Sequence, residues 1–483
     1  MYAVSMVSLG CSKNLVDSEV MLGLLAQAGY TLTSDLHSSD IIIVNTCSFI
    51  ESAQEESRET ILSMKHFYTA GKIIVVTGCF SKLYKKELSD AIEKKDRQKN
   101  QFSELINSVH AFLGPGDISR IHEVIDAIVT QKPFHMPKVL VEDNPAYIYD
   151  HSTPRARTTP PHTAYVKIAE GCANNCTYCL IPSIRGAYRS RTIDSIVEEV
   201  KILADHGVVE VSLIAQDTTC YGKDTYGKHM LPELLEALAT RTQICWIRVL
   251  YTHPAHFTKE LVNVIRDIPQ VCKYVDLPIQ HIDDAILKAM GRRVSSRDIY
   301  TLIDSVRNAI PHVTLRTSVI VGFPGETDRQ FMNLLDCVKD IRFERLGAFT
   351  YSREKGTSAY TMPDQVSREI KEIRLHAIMS MQQVISKEKN KQLINTVVPV
   401  LVDGLEGKGK YFGRTQADAL DVDCLVHVKG KNITPGSFVD MHVKSASEYD
   451  IEGTMISKKV KVKPDNRQQT RDHRLKIKGK SKK

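Results

Sequence analysis

Short apolar runs alternate with amphipathic stretches along most of the chain, and that alternation predicts its organisation. Residues 4–9, 41–44, 72–76 and 109–113 are rich in Val, Ile, Leu and Phe, and each run is followed by a helical pattern. Over residues 1–131 this predicts a parallel sheet with helices on its faces. The alternation resumes with strands expected at 165–169, 210–214, 246–250, 274–277, 315–321 and 346–350. Helical patterns at 193–205, 231–239, 259–267, 297–308 and 328–340 separate them. Six βα units are too few to close an eight-unit barrel, so residues 158–391 are expected to form a partial (βα)6 barrel. A long helical stretch at 367–393 leads out of it. From 392 to 457 the pattern changes to short strands, at 397–402, 410–414, 425–428, 438–443 and 453–456, as in a small β-barrel of the oligonucleotide-binding kind. The fold class is therefore α/β with a small C-terminal β-barrel, and the proline-rich residues 132–157 are expected to link the two α/β units.

Charge changes this picture only at the end of the chain. Residues 458–483 carry 12 Lys and Arg against 2 Asp, so the rest of the net +7 chain sums to −3. A body of that balance is not built to grip a long nucleic acid, although the basic tail offers a nonspecific RNA contact. The Lys- and Gln-rich residues 89–102 read as a solvated insertion. No apolar run is long enough to span a bilayer. Ser8-Leu-Gly-Cys11 imitates a lipoprotein cleavage site, but no basic segment precedes it, and the expectation is a cytoplasmic protein. In that compartment eleven cysteines point to metal-binding, catalytic or buried roles rather than disulfides.

Two sets of cysteines stand out. Cys172, Cys176 and Cys179 form a C-x3-C-x2-C frame directly after the first strand of the central unit. Three thiolates so close together suit a soft metal, and a cubane iron-sulfur cluster takes four protein ligands, so one iron is left open. A zinc knuckle would want a fourth Cys or His nearby, and residues 180–197 supply neither. Cys11, Cys47 and Cys79 each follow a different N-terminal strand. Strand ends of a parallel sheet share one edge, where ligands bind in open α/β folds, so these three are expected to converge on a second cluster. Gly10, Asn45 and Gly78 give the backbone room to turn there. Polar residues also load other strand ends of the central unit: Gln216 to Thr219, Tyr251 to His253, and Pro278 to His281. Arg316 opens the fifth strand, which ends in the glycine-rich loop from Gly322. His253 and His281 read as structural histidines rather than ligands; Tyr411 to Arg414 could offer a stacking surface, although aromatics of a small barrel are more often core. Cys220, Cys245, Cys272, Cys337 and Cys424 have no convergent spacing.

The cysteine frame, with Tyr178 just before its last cysteine, resembles the radical S-adenosylmethionine enzymes. Taken with the flanking domains, nearly the whole chain resembles their methylthiotransferase family, whose C-terminal module is the TRAM domain. The resemblance implies two [4Fe-4S] clusters, one auxiliary on Cys11, Cys47 and Cys79 and one radical-generating on Cys172, Cys176 and Cys179, the latter being catalytic. It also implies S-adenosylmethionine as cofactor, with Tyr178, Gln216, Arg316 and Gly322 as candidate contacts, and an external electron donor. In that family one S-adenosylmethionine supplies a methyl group to sulfur at the auxiliary cluster, and a second yields the radical that opens a C–H bond for methylthio transfer. Residues 10–19, 181–186 (Ile-Pro-Ser-Ile-Arg-Gly) and 351–354 (Tyr-Ser-Arg-Glu) are most similar to the branch that modifies the β-carbon of an aspartate in ribosomal protein S12. The acidic body suits a basic ribosomal partner. Ala187, the insertion and the basic tail depart from that branch. Methylthiolation of adenosine in tRNA, and a non-catalytic iron-sulfur RNA-binding role, stand as the alternatives.

Overall fold

A computed structural model describes residues 2–93, 102–130 and 138–459, with the side chain of Lys459 set aside. The first apolar runs become a six-stranded parallel sheet: β1 (Ala3–Ser8), β2 (Thr31–Leu32), β3 (Ile41–Thr46), β4 (Ile73–Gly78), β5 (Ala111–Leu113) and β6 (Val139–Leu140), in the order β2-β1-β3-β4-β5-β6. Both faces are covered, which explains the unbroken apolar runs. Ile41, Ile43 and Val75 pack on one side with the helix Ser12–Gln27, while Ile42, Val44, Ile74 and Val76 pack on the other with the helix Glu51–Ser63.

The segment expected as a linker is largely built into the fold. Residues 139–140 add the sixth strand, and Arg155 is buried between Glu19 at 2.5 Å and Glu199 at 2.9 Å. Part of the expected insertion (94–101) and nearly all of the basic tail (460–483) lie outside the described residues.

The central unit starts with β7 (Thr163–Lys167) and the hairpin of β8 (Ala169–Glu170) and β9 (Arg189–Ser190). It continues with β10 (Glu210–Ile214), β11 (Trp246–Val249), β12 (Tyr274–Asp276), β13 (Thr314–Val321) and β14 (Arg345–Thr350). Six parallel strands stand in two sheets, β7-β10-β11 and β12-β13-β14, joined across β11 and β12 by a bridge from Ile247 to Val271. Among the described residues no ladder joins β14 back to β7, so the barrel is open as expected.

The C-terminal domain is a closed five-stranded barrel of β15 (Val397–Gly407), β16 (Lys410–Arg414), β17 (Val426–Lys429), β18 (Phe438–Ala446) and β19 (Ile451–Lys459). Its β16–β17 connection forms the floor of the central barrel. Arg248 donates to the carbonyl of Gln416 at 2.7 Å, Tyr165 Oη to that of Leu420 at 2.8 Å, and Tyr274 Oη to Asp423 at 2.7 Å. Arg345 pairs with Asp418 at 2.6 Å. Among the described residues, no helix is long and apolar enough to cross a membrane.

Candidate active site

The first three cysteines sit where the parallel sheet places them, at the C-terminal edges of β1, β3 and β4. The turn that brings them together is tight. Gly10 has φ +85°, and a Cβ there would lie 2.6 Å from Cys47 Cβ and 2.8 Å from its sulfur, so only glycine fits. Asn45 does different work from the turn-forming role expected of it. It stays in β3, and its amide donates to the Asn14 carbonyl and to Ser18 Oγ, both at 2.9 Å, tying the strand to the first helix. Burial pushes the thiols of Cys47 and Cys79 up, the latter to about 12. Burial acts on Cys11 in the same direction, but Lys13 and Arg185, together with the backbone amides of Asn14 and Lys13, outweigh it and leave this thiol below its usual value.

The second three cysteines lie on the loop between β8 and β9. The Asn174 and Ile181 amides donate to the sulfurs of Cys172 and Cys179, each at 3.4 Å. The loop is pinned to the barrel by Thr177, whose amide donates to the Met290 carbonyl at 3.0 Å and whose hydroxyl donates to that of Ala289 at 2.8 Å. Arg292 places a guanidinium nitrogen 3.8 Å from Cys176 Sγ. Burial drives Cys172 up to about 11 and Cys179 up to about 12. A coordinating metal deprotonates such thiols outright, so loading them releases protons.

The spacing of the sulfurs bears on what they hold. Among the described residues, the only three Cys, His, Asp or Glu ligand atoms within 4.8 Å of one another are those of Asp217, Cys220 and His256. In each cysteine triad at least one pair of sulfurs lies further apart than that, which leaves room for a multi-iron cluster. The compact trio has sides of 2.9, 3.0 and 3.3 Å. Those are hydrogen-bond lengths, and the two shorter ones fall below the roughly 3.3–3.6 Å between donors on a single tetrahedral ion. Asp217 also accepts from Asn174 Nδ2 at 2.7 Å, so the trio braces the cysteine loop.

The candidate contacts for S-adenosylmethionine divide. Tyr178 packs edge-on against Phe323, with ring centroids 6.4 Å apart. Gln216 donates from Nε2 to Glu170 at 2.6 Å, while its Oε1 is buried without a hydrogen-bond partner among the described residues. Gly322 has φ +72°, with its amide on Glu326 and no room for a Cβ beside Lys371. Arg316 is placed elsewhere. Near the start of β13, away from the strand ends that carry the cysteine loop, it pairs with Asp276 at 2.8 Å and Asp423 at 3.4 Å as part of the floor. The Tyr411 to Arg414 segment is likewise not a stacking surface as a unit, because Tyr411 lies in the small barrel's core and Arg414 is buried against Asp403.

His253 and His281 each hold the backbone that follows them. Their Nδ1 atoms accept from the amides of Ala255 and Asp283 at 3.1 and 3.0 Å. Burial, reinforced for His253 by Arg292, holds their pKa values down at about 3 and about 4. A histidine that is neutral when folded but titrates near 6.5 when unfolded contributes stability above that pH, and loses it as pH falls from about 6.5 towards the folded value. One unit below 6.5 the loss is about 1.4 kcal/mol per histidine. His253→Asn keeps an acceptor for Ala255 and removes the titration, so its melting temperature should fall less than the wild type's between pH 7.5 and pH 5.5. Thermal unfolding at the two pH values checks this.

Cys79 packs with Leu180 and Ile184, just after Cys179, across one domain interface built by the three segments noted in the sequence. From the first helix, Asp17 meets Lys167 and accepts from Arg185 at 2.7 Å. The single turn Ile181–Arg185 starts just after Cys179 and ends with Arg185 Nη2 3.4 Å from Cys79 Sγ. Ser352 Oγ accepts from the Glu51 amide at 3.3 Å, and Glu354 accepts from Gln54 at 2.6 Å. Lys13 lies 3.3 Å above the ring of Tyr251.

Comparison with known proteins agrees with this geometry. Residues 3–98 match the Uncharacterized protein family UPF0004 model, 166–338 the Radical SAM superfamily model and 394–456 the TRAM domain model. Solved structures of the radical S-adenosylmethionine methyltransferase TsrM from Kitasatospora setae share the fold. One has a TM-score of 0.52 at 13% identity, covering 84% of this chain and 81% of that one. Another has a TM-score of 0.53 at 14% identity, covering 80% and 89%. Fold and cysteine loop together define a radical S-adenosylmethionine enzyme with an iron-sulfur centre. The ribosomal protein uS12 methylthiotransferase RimO of Desulforamulus reducens is 44% identical over 460 residues, 94% of this chain and 100% of that protein. Those of Clostridioides difficile and Geobacter sulfurreducens are 42% and 43% identical over 94% of this chain, and over 99% and 98% of their own lengths. The chain belongs to this methylthiotransferase family.

Proposed function

We propose that the protein installs a methylthio group on the β-carbon of an aspartate in ribosomal protein S12, in the cytoplasm, with electrons from an external donor. Cys172, Cys176 and Cys179 hold one [4Fe-4S] cluster and Cys11, Cys47 and Cys79 a second. When bound, the first with S-adenosylmethionine supplies hydrogen-abstracting chemistry and the second is the sulfur side of the transfer. The chain's own part is to hold and orient. Gln216 Oε1, fixed by the grip of Glu170 on Nε2, would offer S-adenosylmethionine an acceptor, and Tyr178 and Gly322 would shape the site around it. Arg292 balances thiolate charge at Cys176. The C-terminal loop seals the barrel floor, so substrate enters from the cysteine side. Residues 1–131, 158–391 and 392–457 serve as the three working domains.

The observation that carries this reading is that a single helical turn starting just after Cys179 ends in Arg185, which reaches Cys79 across the interface. Two sets of open irons there suit a transfer that needs a radical and a sulfur donor in one cavity. The substrate follows the relatives, all three named for uS12, and the acidic body, which attracts a basic ribosomal protein. The test offers anaerobically reconstituted enzyme, reductant and S-adenosylmethionine a peptide carrying the S12 aspartate loop and, in parallel, hypomodified tRNA. Mass spectrometry should find a gain of one SCH3 less one hydrogen on the peptide and none on tRNA. A gain on tRNA alone would overturn the substrate assignment.

A further inference from the structure

Arg185 belongs to the radical domain by sequence and to the auxiliary thiols by position. It closes the turn that starts after Cys179, is only 3% exposed, and reaches across the interface into the N-terminal domain. Its Nη1 donates to Asp17 at 2.7 Å and to Glu170 at 3.3 Å, and its Nη2 to Asn14 and, at 3.4 Å, to Cys79 Sγ. Four acceptors around one buried guanidinium fix its plane. Its charge lowers the thiol pKa at each of Cys11, Cys47 and Cys79. Lys13, by contrast, is turned towards Tyr251.

We propose that Arg185 is a positioning residue of the auxiliary cluster, lent to it by the radical domain, which raises that cluster's reduction potential and keeps its Cys79 ligand in place. The inference rests on the assignment of Cys11, Cys47 and Cys79 to a second cluster. The physical ground is that reduction adds negative charge, and a cation hydrogen-bonded to a ligating sulfur favours the reduced state. Arginine suits the position better than lysine. Its planar fork serves Asp17 and Cys79 from separate nitrogens, while a lysine is a point charge that cannot span both in the same geometry. Glu170 completes the arrangement. Two residues before Cys172, it holds Arg185 with one oxygen and Gln216 with the other. The cation that tunes one cluster is therefore braced by the strand that carries the other.

The test uses full-length enzyme with both clusters, in wild type, Arg185→Met and Arg185→Lys, followed by EPR during a redox titration. Signals are assigned by their loss in Cys47→Ala (auxiliary) and Cys176→Ala (radical). The expected result is a midpoint shifted to lower potential for the auxiliary signal in Arg185→Met and by less in Arg185→Lys, with the radical signal's midpoint unchanged in both. If Arg185→Met loads poorly, selective loss of the auxiliary signal supports the proposal. If it loses both signals, Arg185→Lys decides by the same midpoint criterion. An unchanged auxiliary midpoint in a loaded variant, or equal shifts of both clusters, would overturn it. Wild-type protein that binds only about four irons instead of about eight, with no signal lost in Cys47→Ala, would defeat the two-cluster assignment itself.

Discussion

Cys176→Ala should abolish 5′-deoxyadenosine formation from S-adenosylmethionine, while Cys47→Ala should retain it and lose only methylthio transfer. The two variants separate because the triads sit on different domains, each with its own guanidinium. Cys176 has Arg292 at 3.8 Å, and Cys79 has Arg185 at 3.4 Å. Losing one of three thiolates leaves a cluster with two protein ligands in a loop whose other sulfurs are held by backbone amides. We expect the Cys176→Ala rate to fall by more than about 10³-fold, over about 4 kcal/mol of transition-state stabilisation. In Cys47→Ala the radical loop keeps its anchors at Met290 and Ala289 and its brace at Asp217. Chromatography of the nucleoside product, beside mass spectrometry of the peptide, measures both. Loss of cleavage in Cys47→Ala to the Cys176→Ala level would mean that the triads do not work separately.

The features legible in the sequence are those set by local rules. Parallel strands buried on both faces give continuous apolar runs, so β3 and β4 and their edge cysteines were visible, and β10 was placed residue for residue. The hairpin of β8 and β9 was missed because two residues per strand carry no periodicity. The edge strand β6 hid in a proline-rich stretch because it is held by its neighbour and not by its own pattern. Arg185 lies 106 residues from Cys79, and Arg292 116 residues from Cys176, and no local pattern spans such gaps. Arg316 opens a barrel strand, which made it a plausible cofactor contact. Its carboxylate partner Asp423 comes from another domain, and only the folded floor brings the two together. Tyr411 packs in the small barrel's core, the commoner place for such an aromatic, and the charge of Arg414 is spent inside, on a partner no local pattern reveals. The resemblance noted at 10–19, 181–186 and 351–354 has a physical reading in the structure. These segments supply Asn14 and Asp17, Arg185, and Ser352 and Glu354, which hold the two thiol-bearing domains against each other.

Glu210→Leu should loosen the C-terminal domain from the barrel floor and leave the chemistry at the other end intact. Glu210 is fully buried, accepts from Arg248 at 3.1 Å and lies 2.7 Å from Arg414 in an ion pair without hydrogen-bond alignment. Arg414 also binds Asp403, which in turn pairs with His162 at 2.8 Å. Removing the carboxylate leaves two buried guanidinium groups with Asp403 as the remaining anion of this set, and a broken buried pair costs about 3–5 kcal/mol. For a unit the size of the barrel that is a fall in melting temperature on the order of 10 °C. Adding Arg414→Met should recover part of the loss, because replacing both members of a buried pair with apolar groups costs far less than removing one. The double-mutant cycle should show a coupling of about 1–3 kcal/mol, and additive losses would contradict the pairing. Below the melting transition, 5′-deoxyadenosine formation per loaded cluster should match the wild type, because the floor residues touch none of the six cluster cysteines. A drop in that rate at full loading would mean that the floor transmits its position to the cysteine loop through the barrel strands.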